Sequence, residues 1–319
     1  MEFTRKHLIS IDDLSAEELV AVLDTTVAMK EVLQRDRKKV PTLQGKTVAT
    51  VFFEPSTRTR ISFELAAKRL SADTISVAAQ TSSVTKRETL VDTVKNLEAM
   101  QADYVVVRHP LSGAAALLAQ HCRASVINAG DGNHEHPSQA LLDAFTMREH
   151  FKKLAGLNVL IVGDIAHSRV ARSNFFLLKK LGANVMLAGP GTLVPTYFAQ
   201  MGARLCESLD EAIPEADVIM MLRVQFERMR GPYFPSEREY ALRFGLNLRR
   251  LQRARKDVII MHPGPVNRGL ELSAEVADGP YSVILDQVSN GIATRMAILY
   301  LLSNDLPGQA ASASGKAQA

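Results

Sequence analysis

The residues best placed to do chemistry lie in TVATVFFEPSTRTR, residues 47–60. An apolar run at 47–53 ends in Glu54-Pro55. Ser56-Thr57-Arg58-Thr59-Arg60 then leads into a helical pattern at 58–70. Hydroxyl side chains at a helix start cap free backbone amides, and those amides, with the helix dipole, favour an anion. Three hydroxyls and a guanidinium within four residues can surround a phosphate with directed donors. A Ser-Thr helix start alone is ordinary, whereas the full pentad between a strand and a helix is rare. Other candidates also stand where apolar runs end. Arg108 follows VVV at 105–107, Arg169 comes shortly after Gly163-Asp164, and Arg223 and Gln225 follow the run at 216–222. In open α/β sheets such strand ends are where ligands bind. His136-Pro137-Ser138-Gln139 opens a further helical pattern, and His262-Pro263-Gly264-Pro265 closes the run DVIIM.

Several other chemistries are not signalled. The chain has no nucleophile elbow, zinc motif or P-loop. His134-Glu135-His136 contains metal-binding types, but adjacent loop residues rarely converge on one ion; no metal and no cofactor are expected. Gly163-Asp164 is followed by bulky residues rather than G-x-G-x-x-G, which argues against a dinucleotide-dependent oxidoreductase. Cys122 and Cys206 are too few for a disulfide framework and read as small buried hydrophobes.

The elements that must position these residues alternate between β-type and helical patterns. Strand candidates fall at 47–53, 73–77, 103–108 and 125–130, then at 158–164, 184–189, 216–222 and 257–262, with a strand-like stretch at 282–288. Such alternation predicts an α/β fold with two doubly wound domains. Each is a mainly parallel sheet flanked by helices, and interdomain helices join them. The expected division is residues 1–137, then 138–288, with a helix at about 289–304 packing back on the first domain and a disordered tail at 305–319. The basic stretch Arg249–Lys256 reads as a solvated helix face that could also serve partner contacts. Over 319 residues the net charge is only +4 and dispersed, aromatics are 6%, and Trp is absent, so no nucleic-acid partner is expected. Neither a secretory h-region nor a membrane-length apolar run is present, so the expectation is a cytoplasmic protein without a membrane partner.

FFEPSTRTRISFE closely resembles the carbamoyl phosphate motif of the aspartate and ornithine carbamoyltransferases. VVVRHPLSGAA at 105–115 and HEHPSQALLD at 134–143 resemble further segments of that family in the same order, and the likeness runs from Arg5 to about Leu302. The resemblance implies an enzyme with two small-molecule substrates, carbamoyl phosphate and an amine. It implies phosphate binding by Ser56, Thr57, Arg58, Thr59 and Arg108, with Arg58 also on the breaking bridge. It further implies that His136 bonds the carbonyl oxygen and Gln139 the carbamoyl amide. Ser82 and Lys86 match a loop that in the family reaches a neighbouring subunit's site, implying a homotrimer with shared active sites; Arg87 replaces the family's usual Gly there. Arg169, Arg223 and Gln225, with the turn at Pro263-Gly264 and Lys86, match the family's aspartate-binding positions. A dicarboxylate wants paired guanidiniums, and no Cys stands in the His-Pro-Gly-Pro turn where ornithine enzymes carry one. The implied acceptor is therefore L-aspartate, in pyrimidine synthesis. An ornithine enzyme and a catalytically inactive scaffold remain as alternatives. The resemblance also leaves room for a regulatory chain, dihydroorotase or a dihydroorotase-like subunit as partner.

Overall fold

The computed structural model describes residues 3–78, 89–225 and 233–305. The tail at 306–319 and the segment holding Ser82, Lys86 and Arg87 lie outside them. The chain divides into two compact units. Unit 1 holds the residues up to Leu142 and from Asn290 onward, and unit 2 is Asp143–Ser289.

Unit 1 begins with a segment whose Leu8 bridges Ile127. Helix α1 (Ala16–Gln34) follows, started by a reciprocal capping box between Ser15 and Glu18. Then come β1 (Thr47–Phe52), α2 (Thr57–Arg69), β2 (Asp73–Ala78), α3 (Leu90–Ala99), β3 (Tyr104–His109), α4 (Ala114–His121) and β4 (Ser125–Asp131). Helix α5 (Pro137–Phe151) runs on through the unit boundary. The sheet is all parallel, in the order β2-β1-β3-β4. Strands β1, β3 and β4 are buried almost throughout, as strands covered on both faces require, while the edge strand β2 is half-buried to exposed. Val51, Val105, Val107 and Val126 pack against Val94, Leu97 and Leu118.

Unit 2 repeats the plan with β5 (Asn158–Val162), α6 (Arg169–Lys180), β6 (Asn184–Ala188), α7 (Tyr197–Gln200), β7 (Arg204–Cys206), α8 (Leu209–Ala212) and β8 (Val218–Met221). Next are α9 (Glu237–Phe244), α10 (Leu248–Leu251), β9 (Ile259–Met261), α11 (Ala274–Ala277) and α12 (Ile284–Leu301), the last crossing back into unit 1. This sheet is also parallel, in the order β7-β6-β5-β8-β9. The two parallel α/β sheets are those expected from the alternating patterns.

Two sequence expectations need correction. The strand-like stretch at 282–288 is the first part of α12, apart from a single bridge between Ile260 and Ser282. Its buried positions, Val283, Gln287, Asn290 and Thr294, follow helical spacing, while the apolar Leu285 and Val288 are exposed. The basic stretch at 249–256 is not one solvated helix face. Helix α10 is a single turn, and Arg250 is half-buried, bonded to both oxygens of Asp210 and to the carbonyls of Gly245 and Leu242. Arg253 shares Asp210, and Arg255 pairs with Asp217.

Candidate active site

In each sheet the chain moves outward one way and then restarts on the other side of its first strand. The resulting switch points lie between β1 and β3 and between β5 and β8. Open α/β sheets bind ligands outside the strand C-termini at such points, and the candidate residues fall there.

In unit 1, β1 and β3 run in register to Phe52↔Arg108, and the Phe53 amide donates to the Arg108 carbonyl at 2.9 Å. Four residues later α2 begins. The hydroxyl cap expected of Ser56 is not made: it holds the N-cap position without a side-chain capping bond, at φ −159°. The first helical bond is Arg60 amide to Ser56 carbonyl, 3.2 Å. The amides of Thr57, Arg58 and Thr59 precede that bond and so have no partner within the helix, and no acidic residue stands in the first turn. Thr57 and Arg58 are exposed, and Thr59 is buried. Arg60 turns instead toward Glu64, 3.9 Å away. Backbone donors, hydroxyls and a reachable guanidinium thus converge at a helix start, a ready anion seat.

Arg108 is aimed by its neighbours. Its Nε donates to Glu54 Oε2 at 3.2 Å and its Nη1 to the Ala129 carbonyl at 3.4 Å. His136 is buried directly ahead of α5, with Nδ1 3.5 Å from the Ser138 hydroxyl, and the Gln139 amide donates to its carbonyl at 3.0 Å. The neighbouring acid and histidine turn elsewhere. Glu135 accepts from Ser10 Oγ (2.6 Å) and the Ile11 amide (2.9 Å), while His134 meets Asp131 at 3.1 Å. Glu135 therefore anchors the N-terminal segment. Burial pushes the Asp131 carboxyl up, but bonds from His134, Asn128 and the Gly113 amide outweigh it and hold it below the ordinary value.

In unit 2, Gly163 comes directly after β5, at φ +129°. The buried Asp164 then accepts from the His167 amide (3.1 Å) and Nδ1 (2.9 Å). Ser168 caps α6 by accepting from the Ala171 amide at 3.1 Å, so Arg169 occupies the first helical position, buried. Arg223, Val224 and Gln225 follow β8 after Leu222, across the switch point from Gly163. The turn after β9 is held from within. The Gly264 amide donates to His262 Nδ1 (2.8 Å), His262 Nε2 lies 3.2 Å from Glu271 Oε1, and the Asn267 amide donates to that same oxygen (2.6 Å). Because Nδ1 accepts, Nε2 carries the proton and donates to Glu271. Asn267 Nδ2 also reaches the Val224 carbonyl at 3.3 Å, tying Pro263 and Gly264 to the segment carrying Arg223 and Gln225.

Sequence reading missed Glu54, Asp131, Asn267 and Glu271, which hold the candidates rather than face a ligand. Single polar residues at a strand end or in an irregular turn carry no spacing signal; only Glu54, just ahead of the pentad, stood near one. The cysteines lie elsewhere. Cys122 is buried, its thiol pushed up to about 11 by burial, and Cys206 is on the edge strand β7.

Two parallel sheets flanked by helices, each with candidate arginines at its switch point, define an α/β enzyme class. The chain belongs to the aspartate/ornithine carbamoyltransferase family. Residues 6–149 match the family's carbamoyl-P binding domain and residues 155–302 its Asp/Orn binding domain. The aspartate carbamoyltransferase catalytic subunit of Syntrophobacter fumaroxidans is 59% identical over 95% of this chain and 99% of the relative. That of Desulfotalea psychrophila is 57% identical over 94% and 95%. Among solved structures, aspartate transcarbamoylase from Trypanosoma cruzi in complex with carbamoyl aspartate and phosphate superposes with a TM-score of 0.83. It is 28% identical and covers 93% of this chain and 96% of that one. Ornithine carbamoyltransferase from Pyrococcus furiosus superposes with a TM-score of 0.84 at 30% identity, covering 96% and 99%.

Proposed function

We propose that the chain transfers the carbamoyl group of carbamoyl phosphate to the amine of L-aspartate, giving N-carbamoyl-L-aspartate and phosphate in pyrimidine biosynthesis. The donor's phosphate sits on the amides and hydroxyls at the start of α2, Ser56, Thr57 and Thr59, with Arg58 and Arg108 on its oxygens. Arg108 and His136 also donate toward the carbonyl oxygen, and Gln139 holds the carbamoyl NH2. The acceptor's two carboxylates take the guanidiniums of Arg169 and Arg223, with Gln225 and the turn at Pro263-Gly264 beside them.

The aspartate nitrogen lone pair attacks the carbonyl carbon, and the carbonyl electron pair moves onto oxygen. As this tetrahedral intermediate collapses, the C–O bond to phosphate breaks and the amine's proton is released. No protein nucleophile is needed. Catalysis lies in holding the reactants in contact and in donors aimed at the developing charge. Arg58 acts on the bridging oxygen as it becomes a phosphate oxygen. Ser82 and Lys86 complete a neighbouring chain's site, which makes the working unit a homotrimer, and the enzyme acts in the cytoplasm.

The observation that carries this reading is the uncapped start of α2 beside Arg108 at the β1–β3 switch point. Carbamoyl transfer is measured with aspartate and ornithine side by side. Activity with aspartate is expected, and activity with ornithine alone would overturn the acceptor assignment.

A further inference from the structure

A cleft of about 880 Å³ opens in unit 2 beside α9 and α10, away from the residues assigned to the acceptor. Five arginines line it: Arg238, Arg249, Arg250, Arg253 and Arg268. The lining carboxylates are Asp210 and Glu237, leaving an excess of three positive charges. The arginines divide by role. Arg250 is fixed by Asp210 and two carbonyls and forms the floor. Arg268 is held by both oxygens of Asp278. Arg253 gives one nitrogen to Asp210, 3.1 Å away. Arg238 and Arg249 are exposed and have no hydrogen-bond or ion-pair partner among the described residues. The cleft already stabilises one anion: the bond from Arg250, opposed by partial burial and aided by the charges of Arg250, Arg253 and Arg249, holds the Asp210 carboxyl below its ordinary value.

We propose that this cleft binds a small oligophosphate, a di- or triphosphate group either free or esterified. Two uncommitted guanidiniums beside a third that is half committed call for more than one negative charge. The guanidinium fork matches phosphate oxygens two at a time, and the volume falls within the range of small-molecule sites. The reachable cations face solvent, so binding is weakened by salt. This site gives a use to Arg249, Arg250 and Arg253 of the basic stretch, which the proposed transfer reaction does not engage.

The test is calorimetric titration of the full chain with sodium tripolyphosphate at about 50 mM salt. Arg238→Gln/Arg249→Gln is expected to weaken binding about tenfold while carbamoyl transfer is unchanged. Arg58→Ala, which empties the other phosphate seat, should leave a tripolyphosphate isotherm of unaltered affinity. Arg249→Glu alone, a charge reversal at an exposed position, should also weaken it. ATP titrated in parallel separates the sources: a loss matching that of tripolyphosphate in the double variant shows that an esterified group is admitted, and tripolyphosphate binding alone assigns the cleft to the free anion. Binding abolished by Arg58→Ala but untouched by Arg238→Gln/Arg249→Gln, or absent for both anions, would overturn the proposal.

Discussion

Single side chains divide here into those proposed to meet ligand and those that hold neighbouring segments in place. Arg58 is exposed at an uncapped helix start, and in the role proposed for it, a charge-assisted donor acting mainly in the transition state, it is expected to matter greatly. Arg58→Ala should lower kcat by roughly 10²–10³ or more, measured by steady-state carbamoyl transfer; a near-normal kcat would remove its assigned role. Glu271 is the counterpart among holding residues. It is fully buried and takes both His262 Nε2 and the Asn267 amide on one oxygen. In Glu271→Gln the side chain loses its charge and half of its acceptor capacity, which should cost about 1–3 kcal/mol of stability in denaturant unfolding. Because Asn267 ties this turn to Val224, the KM for aspartate should rise more than kcat falls. The difference between the two classes explains what could be read in advance. The guanidiniums and hydroxyls announce themselves by type, by clustering and by standing at the ends of apolar runs. Glu271 and Asp131 work through partners mostly three to nine residues away, but inside turns whose shape only the fold sets, so no regular period marks them.

At the scale of elements, the strands were legible because parallel strands buried on both faces must be short continuous apolar runs. Helix α12 was misread at its start because VIL at 283–285 is too short to show a period. The three-residue edge strand β7 and the single-turn helices carry too few residues for any pattern. The crossing at the β5–β8 switch point depends on one backbone position. Gly163 has φ +129°, and a Cβ there would stand 3.0 Å from the Tyr240 hydroxyl and 3.2 Å from the Leu222 carbonyl. Gly163→Ala should therefore cost about 1–3 kcal/mol through backbone strain and crowding. It should also weaken aspartate binding, because Leu222 adjoins Arg223. Thermal unfolding and the KM for aspartate would check both effects, and unchanged values would show that the strand end can shift without cost.

For the molecule as a whole, two responses are expected. The first is to acid. Burial holds His7 and His109 below the ordinary imidazole value of 6.5, and the Nδ1 of each accepts a backbone amide, from Val126 and Leu111 respectively. A group whose folded value is lowered binds fewer protons folded than unfolded. Its contribution is complete above 6.5 and is lost as pH falls through the folded value. Asp131, held below 3.8, adds a second loss in stronger acid by the same sign. The Tm should thus fall between about pH 7 and about pH 5, and His109→Asn should flatten that slope; an unchanged slope would exclude His109 as a contributor. The second response concerns assembly. If Lys86 serves a neighbouring chain, mixing Lys86→Ala with Arg58→Ala chains should regain some activity, whereas verified mixed oligomers with none would place each site within one chain.

Unit 1 is built from both ends of the chain, while unit 2 is one uninterrupted span. In the late half of α12, Arg295 donates to Ser62 at 3.0 Å and lies over the Phe63 ring at 5.0 Å, and Met296, Ala297 and Leu299 are fully buried. During vectorial synthesis the face of α2 that receives Arg295 is made more than two hundred residues before its partner. Unit 2 leaves the ribosome entire, while the earlier-born unit 1 stays incomplete until α12 emerges. The nascent chain therefore keeps an apolar face open until α12 arrives, and of the two units the last to close is the one whose synthesis begins first.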